Sequence, residues 1–276
     1  MTGKGKIGVF DSGYGGLTIL KEIVKTLPDY NYIYLGDNAR SPYGNRSFEV
    51  VYQYCREAVG KLFSMGCELV ILACNTASAK ALRTIQQKDL PTWNPEKRVL
   101  GVIRPSVEAL ARYSSNGHIG ILATSGTVAS GSYPLEIEKL YGSGTFHITQ
   151  LACPMWVPLV ENNELSGAGV EFFVRKYVQE LLEMDTDIDT VILACTHYPL
   201  LKPLIARYLP GRVNLICQGN IVAESLDMYL NRHIRMKERL GRGGEIAYFT
   251  TDHPLLFERM AGNFMESKIT AESIVL

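Results

Sequence analysis

VILACNTAS at 70–78 and VILACTHYP at 191–199 repeat one pattern. Each sets four apolar residues ahead of a cysteine, with a polar residue directly after it. A short apolar run without polar alternation, rich in Val and Ile, suits a strand buried on both faces, as in parallel sheets covered by helices. Cys195 lies 121 residues beyond Cys74 (195 − 74), far enough for each copy to occupy its own half of the chain.

Working outward, similar runs recur at Ile7–Phe10, Tyr32–Leu35, Leu69–Ala73, Val99–Ile103, Ile119–Ala123, His147–Leu151, Val191–Ala194, Val213–Ile216 and Ile246–Thr250. Stretches of helical period lie between them, among them Leu17–Thr26, Phe48–Ser64 and Val170–Glu183. Strands alternating with helices predict an α/β fold with mainly parallel sheets. In such folds ligands bind beyond the carboxyl ends of the strands, where the unusual residues of this chain fall. Two Pro-containing turns, DLPTWNPEKR at 89–98 and ARYLPGRVN at 206–214, mark crossings. They divide the chain into 1–98 plus 209–276, carrying Cys74, and 99–208, carrying Cys195.

Composition narrows the function classes. The 276 residues hold 46% hydrophobic and 20% charged residues, and Lys plus Arg equals Asp plus Glu at 28 each. A balanced charge gives no reason to expect nucleic acid or an anionic membrane as partner. No apolar stretch approaches a membrane span or a signal-peptide core, so the expected location is the cytosol. There the six cysteines, at 55, 67, 74, 153, 195 and 217, are expected as free thiols.

A thiol between a strand end and a helix start sees the positive end of the helix dipole, which favours the thiolate. Asn75 and Thr196 are suitable helix caps beside the two thiols. A small buried residue ending a strand is the plainer alternative, and it is retained for Cys55, Cys67, Cys153 and Cys217. Three chemistries could use the matched pair. A Cys–His nucleophile would leave one thiol idle. A metal set of Cys74, Cys195 and His197 lacks a fourth ligand, so no metal site is assigned. Proton transfer at a carbon, with one thiolate removing a proton and one thiol returning it to the opposite face, needs both.

DSGYGG at 11–16 follows the first strand, and Asp37 ends the second. That arrangement brings a dinucleotide fold into consideration, although Thr18 stands where the third glycine belongs. Alternatively, the backbone N–H groups and the Ser12 hydroxyl hold a small anion at a helix start. Asp11 fits beside an ammonium group, as a proton acceptor near Cys74, or as a helix cap. The loop GDNARSPYGNRS at 36–47 offers backbone donors at Tyr43 and Gly44. Asn75, Thr76, Thr124, Thr127 and Thr196 add neutral donors. Many neutral donors with few charges suit a small zwitterion carrying more than one carboxylate.

DSGYGG, GDNARSPYG, ACNT, LACPMWVPLVE and ACTHYPLL, in this order and spacing, resemble the glutamate-specific branch of the aspartate/glutamate racemase superfamily. The resemblance runs from about residue 7 to about residue 220. It implies two pseudo-symmetric α/β domains with the active site in the cleft between them, and a homodimer. The implied activity is cofactor-independent inversion of glutamate, supplying D-glutamate for peptidoglycan. Carried over by motif, Cys74 and Cys195 are the acid–base pair. Asp11 supports the first thiol, while Glu161 and His197 support the second. Ser12, Tyr43, Gly44, Asn75, Thr76, Thr124, Thr127 and Thr196 hold substrate, with Asp11 and His197 beside them. Two positions depart from the family pattern, Arg104 where Glu is usual and Cys217 where Asp is usual. The amino terminus is also short for the extension through which some relatives are activated.

Overall fold

The structure, a computed structural model, describes residues 4–265 and 268–276. Among these, strands β1 (Lys6–Asp11), β2 (Tyr32–Gly36), β3 (Cys67–Leu72), β4 (Arg98–Gly101), β9 (Ile246–Thr250) and β10 (Ala271–Ser273) form one sheet, in the order β10-β9-β2-β1-β3-β4. Strands β5 (His118–Ala123), β6 (His147–Ala152), β7 (Thr190–Ala194) and β8 (Asn214–Cys217) form the other, in the order β6-β5-β7-β8. Every neighbouring pair is parallel. The unalternating runs explain this: Val9, Phe10, Val70 and Leu72 are wholly buried in the first sheet, as are Val191, Ile192 and Leu193 in the second. Burial of both faces demands helices on both sides.

The two sheets share a topology. In the first, β1 has β2 on one side and β3 then β4 on the other. In the second, β5 has β6 on one side and β7 then β8 on the other. Each therefore has a switch point beside the strand that comes first in its sequence, where the carboxyl ends of neighbouring strands leave a crevice. The two VILAC runs are β3 and β7, and both thiols emerge at these switch points. Phe10 pairs with Leu72 in one sheet, and Ala123 with Ala194 in the other.

Three readings of the chain shift. The expected strand Val99–Ile103 stops at Gly101, and Ile103 opens a helix, Ile103–Glu108. Pro105 presets the backbone angle in that helix's first turn. Strand β8 lies beyond residue 209 yet pairs with β7, so by sheet membership the return crossing follows Cys217 rather than 209. β4 likewise carries the first sheet past 98, to Gly101. After β8 the helix Gln218–Arg232 packs against Leu17–Thr26 of the first unit. Its Val222, Leu226 and Leu230 share one buried core with Leu17, Ile19, Leu20 and Ile23. At Gly219 an added Cβ would lie 2.8 Å from Glu22 Cγ and 3.1 Å from the Thr18 carbonyl oxygen, so a glycine permits this approach.

Candidate active site

The carboxyl ends of the two sheets enclose a cavity of about 160 Å3. That is below the roughly 300–1,000 Å3 of sites for drug-sized ligands, and it suits a small metabolite. Ser12, Tyr43, Gly44, Cys74, Asn75 and Thr76 line it from the first unit. Thr124, Glu161, Cys195, Thr196 and His197 line it from the second. Among the described residues no Lys or Arg lines the cavity. Anionic groups there must be held by neutral donors and the His197 ring, and no lining amine can form a Schiff base. A larger groove of about 660 Å3 is bounded by Arg83, Arg104 and Glu136. It contains neither thiol; both line the smaller cavity.

The two thiols stand in unlike surroundings. Cys74 caps the helix Asn75–Lys80 through its backbone, and Ser12 Oγ donates to its sulfur at 3.5 Å. Burial, and then the nearby Asp11 carboxylate, push its thiol up to about 12, although the Ser12 hydroxyl and the Ala77 N–H act in the opposite sense. Burial therefore opposes the thiolate that the helix start would favour here. A helix of six residues offers a weak dipole, and desolvation of the sulfur outweighs it.

Cys195 is served differently. Its sulfur lies 3.9 Å from His197 Nδ1, and His197 Nε2 lies 3.0 Å from Glu161 Oε1. Burial opposes the imidazolium, but the hydrogen bonds to Cys195 and Glu161 outweigh it and push His197 up to about 10. Glu161, His197 and Cys195 thus form a line along which a proton can be held next to the second sulfur. Gly15 makes room for it: a Cβ there would lie 2.3 Å from Thr196 Oγ1 and 2.5 Å from His197 Nδ1.

Not every expected residue reaches the cavity. Asp11 is wholly buried behind the wall. Its carboxylate accepts from the Gly13 N–H at 2.9 Å and from Thr196 Oγ1 at 3.3 Å. Burial raises its pKa, with His197 countering. It caps no helix and does not line the cavity. Thr127 is also fully buried; its hydroxyl lies 3.1 Å from that of Thr124 and 3.4 Å from that of Thr76. The helix-cap reading of Asn75 and Thr196 fails too. Asn75 is the first helical residue, and Thr196 precedes a short 3-10 turn, Tyr198–Leu201. The Asn75 amide instead joins a buried network, donating to Gln218 Oε1 at 2.6 Å and accepting from Tyr133 OH at 2.8 Å. The residue that does cap is Thr124, on the helix Ser125–Ser130.

Tyr43 meets the cavity while its hydroxyl points away and donates to Asp37. Asp37 also accepts from Arg40 Nε at 2.7 Å and from Thr251 Oγ1 at 2.8 Å. Being wholly buried and fully engaged, it anchors a loop and cannot bind a ribose, which removes the dinucleotide reading. Pro154, Val157 and Pro158, within the LACPMWVPLVE motif, add apolar wall. Cys153, assigned a packing role, also borders the cavity, where burial holds its thiol far above the ordinary range. Arg104 pairs with Glu108 and Glu136 at 2.8 and 3.3 Å, and Cys217 ends β8. Neither departure from the family pattern lines the cavity.

Comparison with known proteins places this geometry. Residues 7–226 match the family model described as Asp/Glu/Hydantoin racemase. The chain belongs to this family. A glutamate racemase of Persephonella marina is 39% identical, with the alignment covering 98% of this chain and 97% of that protein. The structure superposes on a glutamate racemase isoform from Bacillus anthracis with a TM-score of 0.89 at 34% identity, covering 99% of this chain and 98% of the other. It also superposes on the Francisella tularensis glutamate racemase in complex with D-glutamate, with a TM-score of 0.86 at 30% identity over 99% and 98% of the two chains.

Proposed function

We propose that the protein interconverts L- and D-glutamate by two-thiol proton transfer at Cα, without a cofactor. The observation that carries this reading is the placement of Cys74 and Cys195 in one small cavity, each at the switch point of its own sheet. One sulfur removes the Cα proton, and the other delivers a proton to the opposite face. With D-glutamate the roles exchange.

The difficulty is the weak acidity of that carbon. Fixed donors lining a small cavity would stabilise the charge that develops on the α-carboxylate. Ser12, Asn75, Thr76, Thr124 and Thr196, with the backbone at Tyr43 and Gly44, are the groups assigned to substrate. The Glu161–His197 pair carries a proton beside Cys195. Asp11 and Thr127 support from behind the wall. The D-glutamate formed would serve peptidoglycan synthesis. No helix among the described residues is long and apolar enough to cross a membrane, and the same reading takes the protein to work in the cytosol as a homodimer. Light scattering of the purified protein tests the dimer.

The decisive assay follows optical rotation. Dialysed, chelator-treated protein incubated with D-glutamate should abolish the rotation, and aspartate should be left unchanged. Retention of rotation, or activity only after adding pyridoxal phosphate or metal, would overturn the reading.

A further inference from the structure

His118 opens β5 and His147 opens β6, and the two are register partners on adjacent parallel strands. Their rings lie 5.0 Å apart between centroids. Asp185 follows the helix Ala168–Met184 and brings its carboxylate to the same place. Its Oδ2 is 2.9 Å from His118 Nδ1 and 3.8 Å from His147 Nε2. The three donor atoms fall within 4.8 Å of one another, the only such His/Cys/Asp/Glu group among the described residues that could hold a metal ion.

These separations suit a metal. Tetrahedral zinc holds nitrogen and oxygen ligands at about 2.0–2.1 Å, so neighbouring donors sit about 3.3 Å apart. The two distances to Asp185, 2.9 and 3.8 Å, bracket that spacing, and side-chain rotation would draw the histidine nitrogens, within 4.8 Å of each other, toward it. The carboxylate is supported in turn: Asp185 Oδ1 accepts from the Asp187 N–H at 3.0 Å, the outer contact that orients metal-binding carboxylates. Two of the ligands stand on paired strands, which fixes their separation. The His147 side chain is 63% exposed and that of Asp185 only 6%, so an ion can enter from solvent and rest on a buried anion.

We propose that His118, His147 and Asp185 bind one divalent transition-metal ion of the zinc type, with water completing the coordination. Imidazole selects such ions over magnesium or calcium. The site lies at the amino ends of β5 and β6, whereas the cavity lies at the carboxyl ends, about 15–20 Å away along a six-residue strand. Its role is to clamp the foot of the second sheet to the end of the helix Ala168–Met184. It therefore goes beyond the racemase reading and does not depend on it.

Cobalt(II) distinguishes this site from the thiols. Metal-stripped full-length protein titrated with Co2+ should take up one equivalent with visible d–d absorption and no sulfur-to-cobalt charge-transfer band, and Zn2+ should raise its melting temperature. His147→Ala, at an exposed position, should fold normally and keep glutamate turnover within about twofold in metal-free buffer. It should weaken cobalt binding by at least about tenfold, the smallest loss expected when even an outer-shell partner is removed. His118→Ala should do the same. No saturable uptake, uptake unchanged in both variants, or a spectrum dominated by thiolate charge transfer would each overturn the assignment.

Discussion

Thr196 Oγ1 donates a 3.3 Å hydrogen bond to Asp11 Oδ1, tying the residue after one thiol to the carboxylate behind the other. The Thr196 carbonyl accepts in turn from Thr18 Oγ1 at 3.0 Å. The two half-sites are thus joined through Thr196, which lines the cavity, and Asp11, which does not. Asp11 can influence Cys74 only through its field and through this joint. It is a positioning residue in our reading, and its charge helps to keep the Cys74 proton in place.

Asp11→Asn separates the charge from the shape. The amide preserves most of the hydrogen bonding and removes the anion. The pH profile for alkylation of Cys74 should move to lower pH, because one of the three influences that raise that thiol (burial, Asp11 and Cys195) is gone. Turnover should nevertheless fall by about 10²-fold, the low end of general acid–base contributions. Mass-resolved alkylation of both thiols across pH, run beside a racemisation assay, provides the check. An unmoved Cys74 profile would mean that Asp11 acts through packing alone.

His197→Asn should reveal the asymmetry of the cavity. The wild-type ring, held up at about 10, keeps its proton through neutral pH and loses it only as the pH rises toward that value. Enantiomers have equal free energy in solution, so kcat/KM must fall equally in both directions. The asymmetry can appear only in the separate kcat and KM values. We expect the larger loss of kcat where Cys195 acts as base, and disappearance of any alkaline limb near pH 10. Equal kcat losses in both directions would remove His197 from its assigned partnership with Cys195.

Asp189 gives a pH prediction for stability. It is buried just before β7 and accepts from the Ser115 N–H at 2.7 Å, the Asn116 N–H at 2.9 Å and Ser115 Oγ at 3.0 Å. Burial raises its pKa, but the Asn116 N–H and its companions prevail and hold the carboxyl down at about 2. The folded state thus binds the proton more weakly than the unfolded chain does. The resulting stabilisation is complete above the ordinary carboxylate range and is lost as the pH falls from about 4 toward 2. Asp189→Asn should be less stable than wild type at pH 7, with the gap narrowing through that window. Urea midpoints measured at both ends of it decide the matter, and a pH-independent gap would sink the assignment.

Local pattern carried much of this architecture, and long-range pairing carried what it missed. Helices Leu17–Thr26 and Phe48–Ser64 fall where the periodicity places them. The buried strands were legible because unalternating Val, Ile and Leu admit few other environments. The edge strand β10, with sequence AES, has no apolar run to announce it. The division at 98 and 209 followed Pro-rich turns, whereas the backbone changes sheets where strand pairing ends. Gln218 was invisible as a neighbour of Asn75 because 143 residues separate them. The thiols, the Glu161–His197 pair and the Thr124 cluster were legible through motifs. The burial that sets Asp11 behind the wall and lifts Cys74 depends on both sheets at once.

The repeated VILAC strand leads to the sharpest test. If each copy supplies the thiol for one face of Cα, L-glutamate in heavy water should give early D-glutamate carrying deuterium at Cα, while the remaining L-glutamate stays largely unlabelled. The delivering thiol has already exchanged with solvent, whereas the removing sulfur returns the proton it took. Cys74→Ser and Cys195→Ser should each block racemisation, since a hydroxyl is a far weaker acid than a thiol. Each variant retains one working sulfur and should still eliminate HX from one enantiomer of a β-substituted glutamate analogue, for which a single base suffices. The two variants should prefer opposite enantiomers, because the surviving sulfurs address opposite faces. NMR of the labelled pools and a keto-acid assay of the variants report these outcomes. Equal early labelling of both pools, or one preference shared by both variants, would mean that a single base reaches both faces, and the second thiol would then have no part in the chemistry.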